Sequence, residues 1–290
     1  MSTKSNTKGE TAIPLAAEQG DDDAAGQSAS EAAPRRASHR DDRRAALIDR
    51  VAESPIWDDE NERRIAGYMA QGVVRRADDD FLSRHSAEAL PGHLKHALRV
   101  VASRDVSRAA VGVYIPTVET TGYALPMAVL ETCVTDQPFI VDTIKMVLRR
   151  LEVRTLGTMN MILPVVRDAE GKLLRMDGED STARNESFTC HLLSLSSVDG
   201  RLASIRERIS HHLERAARVV DDFRAMRKLI RDVDSTLRYC AECMPERARE
   251  FIEVAAFGDW LVSDHFVFMG AYGFDVQGRP TGRLGLGRYD

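Results

Sequence analysis

Residues 127–166 read MAVLETCVTDQPFIVDTIKMVLRRLEVRTLGTMNMILPVV, and the spacing of their apolar positions changes twice. Met127 to Val134 is rich in strand formers. A short polar turn, Asp136-Gln137-Pro138-Phe139, follows. Ile140, Ile144, Val147, Leu148 and Leu151 then recur at helical spacing and predict one buried stripe. Arg149 and Arg150 sit at the C-terminal end of that helix, where they complement its dipole. Met159 to Val166 is apolar again, with Pro164 marking a strand edge or end. The stretch therefore predicts strand, turn, helix, strand.

The turn holds the candidate binding residues. Asp136 reads first as a cap for the helix and second as a ligand contact, and Pro138 suits the first helical turn because it needs no N–H there. Gln137 is the better ligand candidate, since its amide is free to point outward. Backbone N–H groups at the start of a helix also favour a carboxylate, so an amino-acid effector suits the loop Asp136 to Phe139.

Working outward, Ala110 to Pro116 predicts a strand before the central unit, and Thr117 to Thr121 a loop or hairpin turn. After it, Leu173 to Met176 and Glu186 to Ser197 predict two more strands, divided by a polar loop. A helix follows from Leu202 to about Val219. The order β-α-β-β-α is the ferredoxin-like plan, an antiparallel sheet with helices on one face. Further helical pattern from Asp221 to about Met244 predicts a linker. Glu246 to Val262 predicts a helix, and residues from His265 to Phe274 a strand before the turn Gln277-Gly278-Arg279-Pro280.

On the N-terminal side, residues 39–105 read as helical. Ser54-Pro55 breaks a first helix, Ile65, Tyr68, Met69, Gly72 and Val73 mark a second, Asp80 is the expected cap of a third, and Ala89-Leu90-Pro91-Gly92 the expected stop before a fourth. Residues 1–38 are polar, carry Asp21-Asp22-Asp23 and end near Arg35-Arg36; they bury too little apolar surface to offset chain entropy, so a disordered tail is expected.

The 290 residues suffice for roughly two domains. With 43% apolar residues, a core is within reach. A net charge of −5, without a lysine block, argues against nucleic acid as a partner, and 6% aromatics against a base-stacking surface. No apolar run of about 18 residues exists, so no membrane-spanning helix is expected. The N-terminus lacks a secretory apolar segment. Cys133 and Cys190 fall in predicted strands as small hydrophobes, and Cys240-Ala-Glu-Cys243 is a lone C-x-x-C. A cytoplasmic, reducing setting follows.

Few other residues suggest chemistry. His85, His93 and His96 cluster in sequence, but no carboxylate or cysteine completes a tetrahedral set at the usual spacing, so no metal site is expected. His211-His212 reads as solvated, Cys190-His191 as two side chains on opposite faces of a strand, and Asp264-His265 as a turn. Gly285-Leu286-Gly287 lacks the third glycine and the helix of a dinucleotide fingerprint, and neither a nucleophile elbow nor a phosphate-cradling loop is found. We expect no catalytic or cofactor-binding residue in this stretch.

Two segments carry a family resemblance. Asp136-Gln137-Pro138-Phe139-Ile140-Val141-Asp142 resembles the opening of ACT-like regulatory domains. Residues 255–270, AAFGDWLVSDHFVFMG, are similar to the segment after the first ACT-like domain of the large bacterial NAD-dependent glutamate dehydrogenases. Pro164 to Asp168 and Glu186-Ser187-Phe188 are similar to strand motifs of the same N-terminal region. The resemblance runs from about residue 75 to the end.

It implies an α+β fold: an ACT-like (ferredoxin-like βαββαβ) domain over 106–220, a helical linker over 221–245, and the start of a PAS-like module over 246–290 that the chain leaves unfinished. The implied parent reaction is oxidative deamination of glutamate to 2-oxoglutarate with NAD, its catalytic and NAD-binding residues lying outside this stretch. The implied role is regulation and assembly, through an amino-acid effector and through self-association or docking to a catalytic region. The alternative is a free-standing ACT-like sensing or subunit-interaction module. Where many ACT domains keep a glycine after the proline of the turn, this chain has Phe139, expected to fill the pocket or pack into the core.

Overall fold

The structure, a computed structural model, describes residues 44–86 and 88–289, without the side chain of Asp264. The tail expected over residues 1–38 lies outside the described residues, as does the Asp264 half of the Asp264-His265 pair. Residues Ala46–Asp290 form one compact unit.

The central unit is as the sequence predicts. Strand β2 (Ala128–Thr135) leads through the turn into a helix over Ile140–Arg150, and this returns as strand β3 (Thr155–Arg167). Ile140, Ile144, Val147 and Leu148 are the buried stripe of that helix. Strands β1 (Ala110–Tyr114), β4 (Leu173–Met176) and β5 (Arg184–Leu193) complete an antiparallel sheet of order β1-β2-β5-β3-β4. Strand β5 fills the gap between β2 and β3, which is the split β-α-β of the ferredoxin-like plan. The place beside β2 is taken by β1, from the N-terminal side, where the βαββαβ order would bring a strand after the second helix.

Helices cover both faces of this sheet, where the sequence suggested one. On one face lie α1 (Glu60–Arg76), α2 (Asp79–Arg84) and α3 (Ala89–Ala102), with Met69, Phe81, Leu94 and Leu98 packed against Val129, Met161, Phe188 and Leu192. On the other lie α4, the helix over Ile140–Arg150, and α5 (Leu202–Cys243). There Ile144, Leu148, Ile205 and Ile209 meet Ala128, Leu130 and Leu193. Both faces of the central strands are thus buried, which explains their nearly unbroken apolar runs.

Local signals place the first layer. Asp78, not Asp80, caps α2: its Oδ1 accepts the Phe81 N–H at 2.7 Å, and its Oδ2 accepts the N–H and hydroxyl of Thr158 in β3. One carboxylate therefore ends a helix and fixes it to the sheet. Gly157 allows the close approach, because a Cβ there would lie 2.7 Å from the Phe81 nitrogen. Ala89-Leu90-Pro91-Gly92 opens α3 instead of stopping the chain, with Pro91 in the first turn, where no N–H partner is needed. Thr117–Thr121, expected as a loop or hairpin turn, makes a helical turn with a capping box.

Three further expectations change. Pro164 lies inside β3, paired opposite Asn185, and its carbonyl accepts the Asp177 N–H, so it marks neither an edge nor an end. Helix α5 runs 42 residues without a break, about 60 Å. Its first turns sit on the sheet, and Asp222 in the middle holds the C-terminal segment, accepting from the Gly285 N–H and pairing with Arg288. That segment is α6 (Ala248–Trp260) and the hairpin β6 (Gly270–Phe274) with β7 (Pro280–Gly285). The strand expected from His265 begins only at Gly270, after a widened helical turn over Leu261–His265.

Candidate functional site

Between the sheet and the first helical layer lies a buried polar cluster. Strand β2 alternates, so Val129, Glu131 and Cys133 point into the layer while Leu130 and Thr132 point away. The β2–β5 register sets Glu131 opposite Cys190, and the β1–β2 register sets Gly112 on its other side. Helix α3 lays His93 and His96, one turn apart, over this pair, and His85 follows the end of α2. Residues far apart in sequence therefore meet on one face.

The contacts run in a line. His85 Nδ1 lies 3.0 Å from the Phe81 carbonyl oxygen, and His85 Nε2 lies 2.7 Å from His93 Nδ1. These two rings are nearly parallel, at 16°. His93 Nε2 is 3.0 Å from Glu131 Oε1 and 3.6 Å from Cys190 Sγ. The second Glu131 oxygen lies 3.0 Å from His96 Nδ1, and the Tyr114 hydroxyl joins His96 to Tyr123. Tyr123 lies parallel to the His93 ring at 5.0 Å.

The electrostatics follow from burial. Glu131 is fully buried, which by itself would raise its carboxyl pKa; hydrogen bonds and charge from His93 and His96 outweigh that and hold it well below the usual range. Burial, then the neighbouring His93, pushes His85 down to about 3. Burial, then Glu131, pushes the Cys190 thiol well up. Glu131 and Cys190 thus join these histidines in space, although no carboxylate or cysteine completes a set at the usual spacing along the chain. Spacing along the chain could not show it, because Glu131 and Cys190 arrive through strand register. A signal was present all the same: a glutamate inside an apolar strand must find buried partners.

A second buried network stands beside it. Glu186 pairs with Arg104 at 2.6 Å and, in a fork, with Arg167 at 2.9 and 2.8 Å, and accepts from the Cys133 thiol at 3.2 Å. Burial opposes its ionisation, but the two arginines hold its carboxyl below the ordinary value. Arg167 also donates to the Val101 carbonyl, and Arg104 to Thr135. The network joins the end of α3 to the sheet.

The loop Asp136-Gln137-Pro138-Phe139 is placed differently from the sequence reading. Asp136 does not cap α4; its backbone N–H bonds Asn185 instead. The cap position belongs to Phe139, in the left-handed region at φ 71° and without a side-chain cap. Phe139 neither fills a pocket nor enters the core, being 45% exposed. Gln137 lines a cleft, a space of about 720 Å³ where β1 and β2 meet α5. Arg104, Arg108, Arg218, Glu214 and Asp221 share the lining.

The remaining sequence candidates stay apart. Cys240 and Cys243 are free thiols at the end of α5. His211 is exposed on the same helix. Cys190 and His191 do face opposite sides of β5, and both ring nitrogens of His191 lack a hydrogen-bond partner. No helix among the described residues is long and apolar enough to cross a membrane.

Residues 69–209 match the family model described as the ACT1 domain of glutamate dehydrogenase. The matched span includes His85, His93, Glu131 and Cys190. The chain is 28% identical over 208 residues to the NAD-specific glutamate dehydrogenase of Pseudomonas aeruginosa, an alignment covering 70% of this chain and 13% of that protein. It is 30% identical over 169 residues to the NAD-specific glutamate dehydrogenase of Halomonas elongata, covering 53% of this chain and 10% of that one. The chain thus spans a small part of the length of these relatives. The resemblance to the large NAD-dependent glutamate dehydrogenases, and the α+β class with an ACT-like domain, are borne out.

Proposed function

We propose, from a chain whose residues 69–209 carry a glutamate dehydrogenase ACT1 domain, that this protein is the regulatory and assembly region of a cytoplasmic NAD-dependent glutamate dehydrogenase. The parent reaction converts glutamate and NAD to 2-oxoglutarate, ammonia and NADH. We assign its hydride transfer to a catalytic region outside these residues. The observation that carries this reading is the family match itself.

Two features of the structure support the regulatory role. The cleft beside Gln137 gathers Arg108 and Arg218 with Glu214 and Asp221, a lining that suits the carboxylate and the ammonium group of a free amino acid. On α6 and the hairpin after it, Val254, Phe257, Trp260 and Phe274 are each about half exposed or more, which suits self-association or docking to the catalytic region. We assign the segment from α6 onward to the start of a PAS-like module.

Calorimetric titration of glutamate and other free amino acids into the purified chain tests the effector reading. Binding is expected, and Arg218→Ala should weaken it about tenfold or more, as loss of a charge-assisted hydrogen bond does. No heat from any of these amino acids would sink the effector. Glutamate-dependent NADH formation by the purified chain would overturn the assignment of the chemistry elsewhere.

A further inference from the structure

The buried histidine line has a proton deficit. It begins at a carbonyl oxygen (Phe81) and ends at a carboxylate oxygen (Glu131 Oε1), and both are acceptors. Between them are three contacts, of 3.0, 2.7 and 3.0 Å, each of which needs one proton between its two atoms. Two neutral imidazoles carry only two N–H groups. If His85 donates to Phe81 and His93 Nδ1 donates to His85, the lone pair of His93 Nε2 faces the lone pair of Glu131. A proton or a metal ion must stand in that gap.

We propose that the charge is a divalent metal ion of the zinc class, held by His93 Nε2, Glu131 Oε1 and Cys190 Sγ. These three residues offer ligand atoms that all lie within 4.8 Å of one another. For a tetrahedral zinc, ligand bond lengths imply edges of about 3.3 Å between nitrogen and oxygen and about 3.6 Å between nitrogen and sulfur. The distances here are 3.0 and 3.6 Å. A proton would need only the carboxylate; the Cys190 sulfur, 3.6 Å from the same nitrogen, gives the gap a third ligand atom. A mixed nitrogen, oxygen and sulfur set also selects zinc-like ions over magnesium or calcium, which prefer oxygen alone.

The surroundings are those of a ligand set held in place. A metal-binding histidine is oriented by a partner on its other nitrogen. His93 Nδ1 has that partner in His85, which is itself anchored on Phe81. The free Glu131 oxygen is held by His96. The three ligands come from α3, β2 and β5, so an ion here clamps the first helical layer to the sheet. Binding replaces the Cys190 thiol proton, so uptake releases protons and strengthens as pH rises.

The test uses the full chain, stripped with a chelator and titrated with Zn²⁺ and with Co²⁺. One equivalent of Co²⁺ should bind with tetrahedral visible bands and a near-ultraviolet sulfur-to-cobalt charge-transfer band, and Zn²⁺ should displace it and raise the melting temperature. Cys190→Ser, a small change, should abolish the charge-transfer band, and His93→Gln should abolish tight binding. Because His93→Gln risks unfolding, the decisive pair is Cys190→Ser against the double change Cys240→Ser with Cys243→Ser, which should bind the metal like the unaltered chain. No stoichiometric uptake, or a charge-transfer band that survives Cys190→Ser, overturns the proposal and leaves a shared proton between His93 and Glu131.

Discussion

The two faces of the sheet are built from the same five strands yet solve burial in opposite ways. Toward α4 and α5 the contacts are aliphatic: Leu130, Val134, Ile144, Leu148, Ile205 and Ile209. The polar groups there are few, such as the Thr132–Thr189 hydroxyl pair at 2.8 Å and the unpartnered His191. Toward α1, α2 and α3 the core is threaded by two buried carboxylates, Glu131 and Glu186, each with two cationic or imidazole partners. Apolar packing tolerates sliding, whereas a buried carboxylate accepts only one arrangement of donors. The difference teaches that the first helical layer is registered on the sheet by polar contacts, and the second is held mainly by area.

The largest expected effect tests that registration. Glu186→Ala leaves Arg104 and Arg167 buried beside each other without a counter-charge, and should cost about 3–5 kcal/mol of stability by urea denaturation. The residual α3–sheet contacts should loosen first, seen as lost amide protection in α3 while α4 stays protected. Equal loss of protection on both faces would break the comparison, because the two layers would then be one cooperative unit.

His191 supplies the second test, on the aliphatic face. Burial, then the Lys145 charge, lowers its pKa from 6.5 to about 4. The folded value lies below the unfolded one, so the fold favours the neutral ring. Its contribution is therefore intact above about pH 6.5 and is lost as pH falls toward 4, on the order of 3 kcal/mol in all. His85, pushed down to about 3, adds to the same acid loss from the other face. His191→Leu should gain about 1–3 kcal/mol at neutral pH by removing an unpaired polar group, and should flatten the acid limb by one proton. An unchanged pH slope would show that His191 finds a partner in solution.

Much of this arrangement was legible in the sequence, and what was missed has a physical cause. The strand–helix–strand core could be read because its apolar period changes at Asp136 and again after Leu151. Helix α2 was found but its cap misplaced, because Asp78 and Asp80 are equally good formers and only the tie to Thr158 separates them. The cover over both faces could not be read, since residues 39–105 show helical spacing without showing what they pack on. The polar cluster was half visible: three histidines stood out, but Glu131 and Cys190 join them through a strand pairing that spans 59 residues. The start of α4 was not legible, because Phe139 adopts a backbone conformation that its side chain gives no reason to expect.

That position gives the smallest and most local prediction. Phe139 opens α4 at φ 71°, a conformation that costs a residue with a Cβ roughly 1–2 kcal/mol. Glycine adopts it freely but loses up to about 1 kcal/mol through the greater freedom of the unfolded chain. The ring is 45% exposed, so its removal gives up only part of a buried phenyl group. These contributions nearly cancel, and Phe139→Gly should shift the melting temperature by only a few degrees. A loss above about 2 kcal/mol would instead mean that the ring's buried half anchors α4, since core phenylalanines cost about 3–5 kcal/mol when truncated. The aliphatic face would then depend on a fixed point of its own at the start of α4, and its contrast with the polar face would narrow to a difference in chemistry, with both layers held in register.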